Sequence, residues 1–419
     1  MRILLVGSGA REHALAWKIS KSPLVRTLYC APGNPGMAKV AQVVAVRADD
    51  VDGLVEQVRT LSIDLVVVGP EAPLVAGLAD RLGPAGIPVF GPTAAAARIE
   101  GSKAFAKEVM AAAGIPTAAH ATFTEVDDAV RYVRSRGGRV VVKADGLAAG
   151  KGVVVPGSVE EAEQALQDML VRRVHGGAGA RVVVEERLEG PEASVIAFTD
   201  GERVLVLPPA QDHKRVRDGD EGPNTGGMGA FSPTSKVTPV LQRQIEERVL
   251  LPALRELARR GCPFRGALYA GLMLTASGPR VIEFNARLGD PETQPIVMRL
   301  RSDIVPALLG AACGNLSPAR LDVDPRAAVG VVLAAEGYPS RPSTGDAIVG
   351  AEGELEDGVE VFHAGTARAA DGRLVSAGGR VLTVCALGAD VPSARERAYR
   401  ALGRIEMRGG HFRRDIGLK

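Results

Sequence analysis

The first hundred residues alternate short Val/Leu/Ile runs with helical patterns, and this restricts the fold more than any other feature. Arg2–Val6, Leu28–Ala31, Leu65–Val68 and Ile87–Phe90 read as buried parallel strands, with helical spacing over Leu54–Leu61 and Leu74–Leu82. Parallel strands need crossover connections, so the pattern predicts a doubly wound sheet with ligands outside the carboxyl ends of its strands. Three of those ends carry small or turn-forming residues: Gly7-Ser8-Gly9-Ala10, Pro32-Gly33-Asn34-Pro35-Gly36 and Gly69-Pro70-Glu71-Ala72-Pro73.

The chain continues well past that sheet. At 419 residues, about three domains are expected. With 46% hydrophobic and 24% charged residues it is an ordinary globular composition, not a disordered one. A net charge of +2 supplies no global field for nucleic acid or an acidic membrane, and 4% aromatics leave few stacking platforms. No apolar run reaches the roughly 18 residues of a membrane span, and the N-terminus reads as strand and turn, not as a signal peptide. Cys30, Cys262, Cys313 and Cys385 form no CxxC, so zinc ligation and a disulfide framework are not expected, and a reducing cytoplasm fits. The basic residues split into 10 Lys and 41 Arg, which makes the position of each Lys informative.

Beyond Gly91-Pro92 the pattern changes. Ser102–Ala113 is expected as a helix capped by Ser102 and stopped by Gly114. Strands follow near 119–123, 139–143, 153–155 and 181–186, with helices near 126–133 and 159–170. Residues 208–233 read as a long, glycine-rich polar loop, a type usually functional or disordered. A long helix, 238–260, and two strands, 266–274 and 280–284, come next. From about 328 the chain is β-rich again (328–334, 359–364, 380–386), closing with helix 393–405 and holding no dense polar motif.

Gly7-x-Gly9 suggests a dinucleotide fingerprint, but Glu12 stands where the third glycine belongs and no acidic strand end follows. The turn still suits a phosphate at a helix N-terminus, or no ligand at all. Lys143 ends a Val-rich strand, and Lys151 closes the turn Asp145–Gly152 before a second Val run. A loop between two strands is not a Walker A loop, which leads into a helix. A glycine-rich hairpin can fold over phosphates, with both lysines as point charges; the alternative is a surface hairpin with solvated lysines. Glu185-Glu186-Arg187-Leu188, with Glu192 beyond, is either a hinge holding a purine by its backbone or a charged turn.

In Val281–Arg287 a period of two puts Glu283, Asn285 and Arg287 on one face, with Ile282 and Phe284 packed on the other. Carboxylate and amide oxygens suit Mg²⁺, with phosphates and water completing its ligands. Arg287 would then face developing phosphoryl charge. Asp212-His213-Lys214-Arg215 and Gly222–Gly229 read as an anionic-substrate loop or a disordered insertion.

Together these residues resemble the ATP-grasp ligases and, more narrowly, the phosphoribosylamine–glycine ligase (glycinamide ribonucleotide synthetase) family over essentially the whole chain. The matching segments are Gly9-Ala-Arg-Glu-His-Ala-Leu, Ala31-Pro-Gly-Asn, Val68-Gly-Pro-Glu-Ala-Pro-Leu, Gly101-Ser-Lys-Ala-Phe, Val142–Val153, Gln211-Asp-His-Lys-Arg, Gly222-Pro-Asn-Thr-Gly-Gly-Met-Gly-Ala and Arg287-Leu-Gly-Asp-Pro-Glu-Thr-Gln. Ala10, Ala286 and Leu288 depart from common family residues without removing a chemical group.

The resemblance implies an α/β and α+β multidomain protein: a doubly wound substrate-binding domain (1–101), an ATP-grasp domain (102–327) with a mobile lid (about 119–190), and a small α+β domain (328–419). It implies ligation of glycine to 5-phosphoribosylamine with ATP and Mg²⁺ or Mn²⁺ in purine synthesis, via an acyl phosphate. It places Lys103, Lys143, Gly146, Gly150, Lys151 and Gly152 on the ATP phosphates, Glu185, Glu186 and Leu188 on adenine, and Glu192 on ribose. Glu283 and Asn285 would bind metal. Arg287, Lys143 and Asp290 would be catalytic. Gly9, Glu71, Asp212, Lys214, Asn224, Gly226, Arg287 and Asp290 would hold glycine and the phosphoribosyl group, with Asp212 on the glycine ammonium. A cytoplasmic monomer is the expectation. Three other readings compete: a different ATP-grasp ligase, a nicotinamide-dependent oxidoreductase, and a non-catalytic nucleotide-binding module.

Overall fold

The computed structural model describes residues 1–148, 152–317 and 320–418. Gly150 and Lys151 therefore lie outside the described residues.

The N-terminal region holds β1 (Arg2–Gly7), α1 (Ala10–Ile19), β2 (Thr27–Pro32), β3 (Gln42–Val43), α2 (Val51–Thr60), β4 (Leu65–Val68), α3 (Ala72–Val75), α4 (Leu78–Leu82) and β5 (Val89–Phe90). Its sheet runs β3-β2-β1-β4-β5, parallel throughout, as the alternation predicts. Leu4 and Val6 enter one apolar cluster and Ile3 and Leu5 another, so both faces are covered. The helix expected over 74–82 is two, because Gly77 between them adopts φ +85°.

After α5 (Ala94–Gly101), α6 (Lys103–Ala112) begins at Ser102, whose hydroxyl accepts the Phe105 N–H, and ends before Gly114 at φ +64°. The segment expected as a lid comprises β6 (His120–Phe123), α7 (Val126–Ser135), β7 (Val140–Ala144), β8 (Val153–Val154), α8 (Val159–Leu166) and β9 (Val182–Glu186). Its sheet order is β6-β9-β7-β8, and β7 pairs antiparallel with β8 through Lys143 opposite Val153. The glycine-rich turn thus joins two strands of a hairpin.

The central sheet, β11-β10-β16-β17, is built from β10 (Glu192–Thr199), β11 (Val204–Val206), β16 (Gly266–Thr275) and β17 (Gly278–Asn285). Between β11 and β16, the segment expected as a long loop is largely ordered. It forms β12 (Gln211–Asp212), a hairpin of β13 (Arg215–Arg217) and β14 (Glu221–Asn224), and β15 (Gly229–Ser232). It is followed by α9 (Pro239–Ile245) and α10 (Leu251–Arg259). These were expected as one helix; a wider turn over Glu246–Leu250 joins them, just before Pro252, which lacks the N–H a regular helix needs.

Past α11 (Thr293–Arg299) and α12 (Val305–Cys313) come β18 (Ala327–Ala334), β19 (Ile348–Val349), β20 (Val359–His363), β21 (Thr366–Arg368), β22 (Leu374–Ser376), β23 (Arg380–Gly388) and α13 (Val391–Leu402). The last large sheet runs β12-β15-β18-β23-β20. The glycine-rich segment is thereby woven into the C-terminal sheet, with Phe231 opposite Val329. Sequence periodicity could not reveal this, since the pairing joins residues about a hundred positions apart. Helix α1 is buried nearly all round, and Trp17 Nε1 donates to Glu360 Oε1 on β20.

Candidate active site

The strand carrying the metal candidates has a bulge. Gly271 faces Glu283 and Leu272 faces Val281, so Ile282 has no opposite number. Val281, Phe284 and Ala286 consequently share the core, and Ile282 is only half-buried. That corrects the expectation that Ile282 packs beside Phe284. The bulge leaves the Ile282 carbonyl accepting a hydrogen bond from Lys143 Nζ at 3.0 Å. Glu283 and Asn285 lie beyond the irregularity and keep a common face. Among the described residues neither side chain is engaged in a hydrogen bond or ion pair, so their oxygens suit a hard cation. No group of three or more His, Cys, Asp or Glu among the described residues could hold a metal by itself, so a metal here would need ligands from the substrate.

Lys143, at the end of β7, is buried and 2.8 Å from Glu185 Oε1. Glu185 Oε2 is 3.0 Å from Lys107 Nζ. The two lysines hold the Glu185 carboxyl below its usual range despite burial. The Glu185 side chain is therefore committed to the lysines, and any adenine contact from this hinge falls to its backbone or to its neighbours. Glu186 is exposed, 3.7 Å from Arg280. The Arg187 N–H bonds to Arg139 O, whereas the Leu188 N–H has no partner among the described residues, which leaves a backbone donor at the hinge.

Lys103 Nζ donates to Gly146 O at 3.1 Å, bringing the helix start and the hairpin turn together. Asp145 fastens the same joint: its Oδ1 accepts from the Ser102 hydroxyl and the Ala104 N–H, and Arg181 grips Oδ2. Gly146 has to be glycine, since a Cβ there would lie 2.6 Å from that of Ala178. Gly152 O accepts the Ala144 N–H and closes the hairpin.

Across the site, Lys214 Nζ is shared by Glu192 and Asp212, the latter 3.5 Å away. Burial raises the Asp212 carboxyl to about 7; Lys214 pulls it down, while Glu292, Glu192 and Glu283 push it further up. Asp212, Glu192 and Glu283 thus act on one lysine, with Glu292 acting on Asp212, and the surplus negative charge favours further cations. Beneath them Glu292 Oε1 accepts from both the Ser194 and Tyr269 hydroxyls.

Arg287 is held between Glu71 (3.2 Å) and Glu100 (3.1 Å). Burial pushes Glu100 up to about 7, although Arg287 opposes it. Asp290 is fixed by Arg380 (2.9 Å) and by Gln294 (2.7 Å). Arg380 also donates to Gly226 O, and the Gly226 N–H donates to the Tyr338 hydroxyl. The C-terminal sheet therefore supplies a side chain to the site, contrary to its bland sequence. Asn224 lies on β14 opposite Arg215, outside this contact network.

At the first turn Glu12 explains why the dinucleotide fingerprint fails. Its Oε2 accepts the Gly9 N–H at 2.7 Å, and its Oε1 accepts from Arg11. A Cβ at Gly69 would lie 2.1 Å from Glu12 Oε1. The carboxylate thus fills the space and takes the donor a pyrophosphate would need. Gly9 nonetheless lies beside Asp290.

Sequence reasoning did not single out Glu100, Lys107, Tyr269 or Arg380. Lys107 had a signal: it lies four residues after Lys103 on a helix, hence on the same face. Arg380 had none among 41 arginines.

Comparison with known proteins is consistent along the chain. Models of the phosphoribosylglycinamide synthetase family match residues 1–100 (N domain), 101–293 (ATP-grasp domain) and 328–419 (C domain). A phosphoribosylamine–glycine ligase of Xanthomonas campestris is 52% identical over 422 residues, covering 100% of this chain and 98% of the relative. One from Caulobacter vibrioides is 53% identical over 423 residues, with the same coverage. The crystal structure of phosphoribosylamine–glycine ligase from Thermotoga maritima superimposes with a TM-score of 0.87 at 34% identity, covering 99% of this chain and 100% of that one. A biotin carboxylase from Campylobacter jejuni shares the fold at 15% identity and a TM-score of 0.77, covering 100% of this chain and 94% of its own.

Proposed function

The chain belongs to the phosphoribosylglycinamide synthetase family, and on that premise we propose how its residues divide the work of a phosphoribosylamine–glycine ligase. The reaction joins glycine to 5-phosphoribosylamine at the cost of ATP, in purine biosynthesis. A carboxylate is a poor electrophile. A glycine oxygen therefore attacks the γ-phosphorus, the bond to ADP breaks, and the glycyl phosphate carbon then accepts the ribosylamine nitrogen. Phosphate leaves, and the nitrogen gives up a proton. No enzyme nucleophile is required, and catalysis is positioning with charge stabilisation.

The observation that carries the assignment is the convergence of free oxygens and buried cations between the lid and the central sheet. Lys103 and Lys143 reach ATP phosphates beside the Gly146 carbonyl, and the Leu188 N–H meets the adenine edge. Glu283 and Asn285 hold Mg²⁺ or Mn²⁺, which would neutralise phosphate charge when bound. Arg287, rigid between two carboxylates, faces the acyl phosphate. The acid surplus around Lys214 receives the glycine ammonium at Asp212. Asp290, Gly9 and Gly226 border the phosphoribosyl group, in a cytoplasmic monomer.

Phosphate release is measured with ATP, Mg²⁺, glycine and phosphoribosylamine, omitting each in turn. Turnover is expected only with all four, and turnover without glycine overturns the reading. Asp212→Ala raises KM for glycine about tenfold, the scale of one charged hydrogen bond; an unchanged value removes the Asp212 assignment.

A further inference from the structure

Lys107 stands outside every motif that points to the reaction, yet it touches the same carboxylate as Lys143. The side chains of Lys107, Glu185 and Lys143 are 2–4% exposed. One carboxylate lies between two ammonium groups, 3.0 Å from Lys107 and 2.8 Å from Lys143. Lys107 Nζ also donates to Thr117 Oγ1 at 2.7 Å, and Thr117 Oγ1 donates to Val281 O at 2.6 Å. That carbonyl adjoins Ile282, whose own carbonyl holds Lys143.

Two consequences follow. Lys143 has three donors; the Ile282 carbonyl takes one and the Glu185 carboxylate stands 2.8 Å away in an ion pair, so at least one donor is left to point elsewhere. The buried trio also carries a net charge of +1, whereas Lys143 and Glu185 alone would sum to zero. Buried charge is weakly screened, so this difference is felt by a neighbouring anion. We propose that Lys107 is a positioning residue for ATP: it neutralises Glu185, so that Lys143 keeps an uncompensated charge for the phosphates, and through Thr117 it pins the bulge that orients Lys143. Burial lowers Lys107 to about 8 while Glu185 opposes that shift, so it is largely charged at neutral pH. The inference rests on Lys143 reaching an ATP phosphate.

The test uses the full chain, phosphate-release kinetics with ATP varied, and thermal melting. Lys107→Met raises KM for ATP about tenfold, leaves KM for glycine unchanged, and lowers kcat by less than about threefold, the loss of one charge-assisted contact. Lys107→Arg keeps the charge and most of the ATP affinity. The double variant Lys107→Met/Glu185→Gln recovers most of the loss, because Lys143 again has no compensating carboxylate. A merely structural Lys107 would lower Tm without moving KM for ATP and without that recovery. An unchanged KM in Lys107→Met, or a double variant no better than the single one, overturns the proposal. Should Lys107→Met fail to fold, the double variant decides: a KM for ATP near wild type supports the proposal and a tenfold rise overturns it. Lys143→Met separates the premises. If it leaves KM for ATP unchanged, the assignment of Lys143 itself fails; if it raises KM while Lys107→Met does not, only the role of Lys107 fails.

Discussion

The lid and the C-terminal sheet flank the same site but are attached by opposite chemistry. The lid has its own apolar cluster, including Ala129, Val133, Val142, Leu166 and Val184, separate from the cluster of the central sheet. Prominent among its contacts with the body are charged and polar ones: Lys103 with Gly146 O, Ser102 with Asp145, Lys107 with Glu185, and Lys143 with Ile282 O. In the C-terminal sheet, by contrast, Ala328, Phe362, Cys385 and Leu387 share one cluster with Leu15 and Ile296. An ammonium can exchange a carbonyl for a phosphate at small net cost, whereas buried methyl and ring surface can only be lost to water. The lid is therefore joined through groups that a nucleotide can compete for, and the C-terminal sheet through groups it cannot.

The largest expected effect tests the apolar side. Phe362 is 1% exposed and packs edge-on against Trp17 and His13. Phe362→Ala should cost about 3–5 kcal/mol of stability with KM for ATP unchanged. A variant that melts like the parent, or that loses ATP affinity in proportion, breaks the comparison.

Acid should weaken the same interface. His13 Nδ1 accepts the His363 N–H, and burial lowers the two histidines to about 3 and about 4. Both stay neutral when folded but protonate near 6.5 when unfolded. Below that value the unfolded chain binds more protons, so stability is full above about pH 6.5 and falls as pH drops towards 4. Denaturant melts at pH 7 and pH 5 should differ by about 4 kcal/mol from this source. The part due to the histidines should vanish in His13→Gln/His363→Gln, and an unchanged slope would show that they are not its cause.

The smallest effect sharpens the polar side. Asp145→Ala removes the acceptor shared by Ser102 and Ala104, and should raise KM for ATP a few-fold, with Tm lowered by only a few degrees. A large loss of Tm would mean that this joint is structural, not one that answers to ligand.

Much of the fold was readable because its signals are local. Three of the four strands expected in the first hundred residues lie within a residue of the observed bounds, since β propensity and burial agree there. Ser102 and Gly114 bounded α6 for the same local reasons. The site was legible as a set of residues but not as a set of pairs. Glu185 suggested a purine hinge, yet its side chain is occupied by Lys107, 78 positions earlier. Ile282 read as core until a bulge turned it out.

The sequence by itself determined the alternation of strand and helix, the hairpin between Lys143 and the second Val run, and the polar face of Glu283 and Asn285. These follow from backbone sterics and side-chain periodicity, which act over a few residues. The tertiary structure alone decided that Glu12 fills the first turn, that residues 211–232 join the C-terminal sheet, that Arg380 holds Asp290, and that Lys107 shares a carboxylate with Lys143. Whether a charge is compensated or left for a ligand depends on which distant partner folding brings within about 3 Å, and no local pattern records that.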